Sequence, residues 1–275
     1  NNTHKIELKW GKKMKKIVLI LMMASLFVLA ACGANADAPT KKDDNGKKTL
    51  VMGTSADYPP FESVDTKTNK IVGFDIDVAN YITKKLGYNL EVKDQKFGGL
   101  IAALNQDSID FVMSGMVKNE ERAKQVDFSD VYYTSHQVIL VPKDSKIKTA
   151  ADLKGKKVGV QIGSTQATLA EDLSKKYPMD IEQWDKVNEM VEAMAGNKLD
   201  AIVTVDTVAF GYTNDSDRLA QFNIKDDSVV TGDPMSIAFP KGSKLTAEFN
   251  KELKKMEENG ELDKFVKKWI ETSGK

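Results

Sequence analysis

The chain is poor in the residue types from which enzymes build nucleophiles and metal sites. Among 275 residues it has two histidines, His4 and His136, and one cysteine, Cys32. No His/Cys set has metal-ligand spacing, and no GxSxG, HExxH or phosphate-loop sequence occurs. His136, beside Tyr132-Tyr133, reads as a partly buried structural residue. No catalytic residue, metal or cofactor is therefore expected.

What the sequence does offer is recognition by charge. Four polar turns follow short apolar runs, and open α/β sheets bind ligands at the carboxyl ends of their strands. The first is Ser55-Ala-Asp-Tyr58-Pro-Pro-Phe61-Glu62, in which a double proline stiffens a loop with two aromatics. The second runs from Ser114-Gly115-Met116-Val117 to Arg122 in the first turns of a helix. The third, Gly163-Ser164-Thr165-Gln166, presents backbone N–H groups at a helix start, where an anion is favoured. The fourth, Thr204-Val205-Asp206, ends a strand in a carboxylate. An arginine and a helix N-terminus suit one carboxylate, an aspartate suits one ammonium, and aromatics suit what lies between. That set describes a site for a zwitterion. Each member also has a plainer reading: Arg122 as a surface ion pair with Asp127, Asp206 and Gly163-Ser164-Thr165 as helix caps, Tyr58 and Phe97 as core.

These turns must be held by an α/β scaffold. Apolar, mostly β-branched runs at 50–52, 90–92, 111–113, 138–141, 158–160 and 201–203 read as buried strands. Helical spacing appears at Val78, Ala79, Ile82 and Leu86, at Leu169 and Leu173, and at Val187, Met190, Val191 and Met194. Strand and helix alternate. The last forty residues hold two amphipathic helices, Leu245, Phe249, Leu253 and Met256 on one, and Leu262, Phe265, Val266 and Trp269 on the other after Gly260. A strand, a Gly/Ser/Thr turn and a helix start occur at Met52–Ser55 and again at Gln161–Thr165, which predicts two α/β halves.

With 41% hydrophobic and 29% charged residues the composition is that of a globular chain. Forty basic against forty acidic residues give no field for nucleic acid. The N-terminus is different in kind. Residues 1–13 precede the first Met and read as translated leader, and Met14-Lys15-Lys16 then opens an uncharged run, Ile17 to Leu29. That run is too short for the roughly 20 apolar residues of a membrane span, and has the profile of a signal peptide over 14–31. From Gly33 to Lys48 the sequence has nothing to pack and reads as a tether with a reach of roughly 20–25 Å.

Leu29-Ala30-Ala31-Cys32-Gly33 resembles the lipobox of bacterial lipoproteins, in which cleavage leaves a lipid-modified cysteine. The body behind it resembles the extracellular solute-binding proteins of polar amino-acid ABC transporters. The likeness rests on GTSADYPPFE, IVGFDIDVA (71–79), VDFSDVYYT (126–134), DLKGKKVGVQIGSTQ (152–166), LDAIVTVD (199–206) and IAFPKGS (237–243). It implies a two-lobed, type II periplasmic-binding-protein-like fold spanning 49–275 and joined by two crossover hinge strands, with lobe one at about 49–137 and 238–275 and lobe two at about 141–232. By the same resemblance, Arg122 clamps the ligand α-carboxylate with N–H groups near Val117 and Thr165, and Asp206 receives the α-ammonium with a carbonyl of Ser114 or Gly115. Tyr58 and Phe97 flank the ligand side chain, and Ser55 meets its distal end.

Val117 departs from the Thr or Ser usual in such proteins, and Ser55 stands where several basic-amino-acid binders have Asp. The SADYPPFE and VDFSDVYYT segments are nearest to arginine-type binders of Gram-positive bacteria. The implied partners are a free amino acid, the ABC permease with its ATPase subunit, and the outer face of the cell membrane through a lipid anchor, for a monomer that is not an enzyme. A second class stays open on the same fold: an arogenate- or prephenate-dehydratase-like enzyme, with Glu62 as its acid, or a ligand-sensing module.

Overall fold

The computed structural model describes residues 46–214 and 217–271. The expectations for the leader, the signal peptide, Cys32 and most of the tether lie outside the described residues. No described helix is long and apolar enough to cross a membrane.

Strand β1 (Thr49–Thr54) leads into a small antiparallel sheet of β2 (Asp57–Tyr58), β3 (Glu62–Val64) and β4 (Ile71–Val72), then helix α1 (Phe74–Leu86) and β5 (Asn89–Asp94). Next come α2 (Leu100–Asn105), β6 (Phe111–Val112), α3 (Glu120–Gln125) and the long β7 (Val126–Pro142). A second half follows, with β8 (Lys157–Gln161), α4 (Thr165–Lys176), β9 (Asp180–Trp184), α5 (Val187–Ala195), β10 (Ala201–Val205), α6 (Asp206–Asn214) and β11 (Leu219–Asn223). The chain returns through β12 (Gly232–Pro240) to α7 (Lys244–Glu258) and α8 (Glu261–Val266).

The order β5-β1-β6-β12-β7-β10-β8-β9 runs through both halves because β7 belongs to each. Its residues up to His136 pair antiparallel with β12, whereas Gln137 to Pro142 pair with β10 and β11. The other crossover, β12, has Gly232 opposite His136 and continues alongside the first half's part of β7. Parallel pairs β1–β5, β1–β6, β10–β8 and β8–β9 place the strand-end turns of each half on the same side as its helix starts.

One apolar layer is confined to the second half, and another runs from the first half into Val187, Met190, Ile202 and Val205 of the second. In the former, Ile139, Val141, Leu153, Val158, Val160, Leu169, Leu173 and Val203 pack together. In the latter, Phe249 of α7 meets Phe111 and Phe239 with ring centroids 5.0 and 5.1 Å apart. Burying each such side chain contributes about 1.5–3 kcal/mol. Helix α1 has acids in its first turn, lysines in its last and a left-handed Gly87 at its C-terminus, in line with the helix dipole. Its entry needs Gly73, with φ of 147° and room for no side chain, since a Cβ there would lie 2.0 Å from the Phe61 carbonyl oxygen. That close approach lets Phe74 and Asp75 donate to the carbonyls of Pro60 and Phe61, tying the double-proline loop to the helix.

Candidate functional site

The turns after β1, β6 and β8, with the starts of α3 and α4, face one another across a single cleft between the halves. Its lining includes Ser55, Tyr58, Phe97, Ser114, Gly115, Val117, Arg122 and Thr165, joined by Glu62, Gln161 and Gln166. The space between these side chains is a narrow slot of about 10 Å³, clearance for no more than one water. The halves are drawn together, with Gly98 against the backbone at Ile162 and Gly163.

Arg122 is the central charge. Asn119 caps α3 by accepting the Arg122 N–H at 2.8 Å, which fixes where the arginine leaves the helix. The guanidinium donates to the carbonyl oxygens of Val117 at 2.5 Å and of Gly163, in the other half, at 2.7 Å. Its carbon lies 5.4 Å from the Phe97 ring centroid, a cation–π distance. Arg122 is 7% exposed, and burial pushes its pKa down to about 10 despite the carboxylate of Asp233 nearby. Among the described residues no carboxylate is hydrogen-bonded to it, so the cleft holds a desolvated cation beside the N-terminus of α4. Asp127, the alternative partner, is taken by Lys241 and the Gly242 N–H.

Acidic groups lie beneath the other end. Ser55 Oγ donates to Asp57 at 2.5 Å, and Ser114 Oγ donates to Glu62 at 2.8 Å while accepting the Ser55 N–H. Asp75 accepts from the Gly115 N–H and the Tyr132 hydroxyl, both at 2.9 Å. The second oxygens of Glu62 and Asp75 have no donor among the described residues, and a proton held between the two carboxyls satisfies both. Burial, then mutual repulsion, raises Glu62 well above the usual carboxylate range, and burial raises Asp75 to about 7. Glu62, the acid of the dehydratase alternative, lines the cleft with this raised pKa.

Eight of the nine expected site residues share this cleft, and Asp206 is not among them. It is the first residue of α6, where one oxygen accepts the N–H groups of His136 and Thr207 and the other lies 3.6 Å from the His136 ring. One oxygen of that carboxylate therefore caps the helix start. The carboxylate near Arg122 is instead Asp233, the second residue of β12, 2% exposed, which accepts from Gln137, Thr165 and Gln166. Gln161 and Gln166 sit within the quoted GVQIGSTQ segment, at a strand end and a helix start, and were within reach of the same reasoning. Asp233 lies at the start of a strand, the opposite end from the one that points to ligands.

Known proteins share this arrangement. The family model of the bacterial extracellular solute-binding proteins, family 3, matches residues 50–272. The arginine-binding extracellular protein ArtP of Bacillus subtilis is 46% identical over 94% of this chain and 98% of its own. An ancestral arginine-binding protein bound to arginine superposes with a TM-score of 0.75 at 40% identity, covering 81% of this chain and 98% of that one. An ancestral amino-acid-binding protein, described as a precursor of cyclohexadienyl dehydratase, superposes with a TM-score of 0.74 at 36% identity, covering 81% and 95%. The two halves, the shared crossover strands and the cleft between them are the type II binding-protein fold of these relatives, and the chain belongs to the bacterial extracellular solute-binding proteins, family 3.

Proposed function

We propose that the protein is the extracellular binding component of an ABC transporter, capturing arginine or another basic amino acid between its lobes and delivering it to a membrane permease. The observation that carries this reading is Arg122, a buried cation at the mouth of a helix N-terminus with no carboxylate among the described residues hydrogen-bonded to it. A ligand α-carboxylate supplies the missing charge, with the backbone N–H groups of Val117 and Thr165 as further donors. Tyr58 and Phe97 flank the ligand, and Asp206 receives its ammonium with the carbonyl of Ser114 or Gly115 as second acceptor. Relatives whose printed names specify arginine support the same ligand.

Binding, not turnover, is the function on this reading, and the protein works as a monomer. The reading extends to Cys32 as a lipid anchor holding the body at the outer membrane face. Replacing Cys32 by Ala then releases the protein from the membrane fraction, and retention after signal removal would refute the anchor. The capture itself is tested by a thermal-shift panel of the twenty amino acids with ornithine and cystine. Arginine is expected to raise the melting temperature most, and a panel in which no amino acid raises it would end the proposal.

A further inference from the structure

The closed cleft is held by a contact that does not involve the ligand position. Helix α5 of the second lobe begins after Lys186, which offers no side-chain cap, so its first N–H groups need partners from elsewhere. One comes from the opposite lobe. Asp57, 4% exposed in β2, accepts the Val187 N–H at 2.5 Å and the Gln161 side-chain amide at 3.2 Å on one oxygen. Its other oxygen accepts Ser55 Oγ, and its backbone carbonyl accepts the Tyr212 hydroxyl at 3.1 Å. Two ion pairs flank it, Lys186–Asp94 at 3.0 Å and Lys96–Asp185 at 2.5 Å, but both are partly exposed and individually contribute little.

We propose that Asp57 is the latch of the closed state, a cap supplied across the cleft to helix α5 that exists only when the lobes meet. Asp57 does not line the ligand slot, so it is a positioning residue that acts on ligand affinity through closure. A contact made only in the closed state shifts the population of the binding-competent form and so changes every ligand's apparent affinity by one factor. Ser55 connects the two, because it lines the slot and donates to the latch. This inference rests on the amino-acid capture proposed above.

Two variants separate capping from charge. Asn caps helices nearly as well as Asp, whereas Ala does not. Calorimetric titration with arginine, lysine and glutamine should show Asp57→Ala weakened about 5- to 30-fold for each ligand that binds, and Asp57→Asn weakened less than about threefold. Loss confined to arginine and lysine would make Asp57 a charge sensor for the side chain and overturn the latch. So would equal losses in the Asn and Ala variants, or no loss in either.

Should the unmodified protein bind none of the three, the capture reading fails, and the latch is read separately from hydrogen exchange. Protection of the Val187 amide in the unmodified protein and in the Asp57→Asn variant, lost in Asp57→Ala, supports it. Equal exchange in all three overturns it.

Discussion

Replacing Arg122 by Ala tests the division between affinity and selectivity. The guanidinium is buried, stacked on Phe97 and satisfied by two carbonyls, so its charge is left for the ligand. A carboxylate entering this cleft loses its water and gains a charge-assisted, geometrically matched partner. Without Arg122 it keeps only backbone N–H groups, and removing one partner of such a pair costs about 2–5 kcal/mol, a loss of roughly 30- to 5,000-fold in affinity. Because Arg122 also reaches Gly163 across the cleft, some of this loss comes from weaker closure. Arg122→Lys keeps the charge but not the planar fork, and should fall between the two. Every amino acid has the same α-carboxylate, so calorimetric titration should show arginine, lysine and glutamine weakened by similar factors. Normal binding of one with loss of another would refute the clamp.

Two further outcomes follow from the placement of acidic groups. Asp206→Asn tests Asp206 as the ammonium acceptor: arginine affinity should fall at least about 30-fold by calorimetry, and an affinity within about threefold would leave Asp206 a helix cap alone. Glu62 and Asp75 have folded pKa values above their unfolded ones, so folding takes up protons; their contribution to stability is full below about pH 4, and that of Asp75 is lost as pH rises through about 7. Converting both to amides, Glu62→Gln with Asp75→Asn, should flatten the decline in urea-unfolding free energy between pH 5 and pH 8 by about 2–3 kcal/mol, and an unchanged slope would show that no proton is shared there.

Much of the scaffold was legible because it depends on local pattern. The apolar runs at 50–52, 158–160 and 201–203 lie in β1, β8 and β10, and the Phe249, Leu253 and Met256 face of α7 is buried as its spacing implies. The first part of β7 was not marked by an apolar run. Its sequence VDFSDVYYTSHQ mixes polar and apolar residues, and its strand character comes from pairing with β12, about a hundred positions away. The small sheet of β2, β3 and β4 consists of two- and three-residue strands fixed by the double-proline loop and Gly73.

The site divides in the same way. Arg122, Val117 and Thr165 follow strand ends into helix starts, so the turn rule singles them out, while their separate roles are what the family resemblance implies. Asp206 satisfies that rule too, and as the first residue of α6 it also accepts neighbouring N–H groups. Asp233 and the cross-cleft role of Asp57 depend on which segments meet in three dimensions. No local spacing records a contact between positions 57 and 187.

The measurement that bears most directly on the account is calorimetric titration of the unmodified protein with arginine and with agmatine, which keeps the guanidinium and lacks the α-carboxylate. Capture through Arg122 predicts that arginine binds and that agmatine binds at least about 30-fold more weakly. Agmatine binding as tightly as arginine would contradict it, as would no heat with arginine.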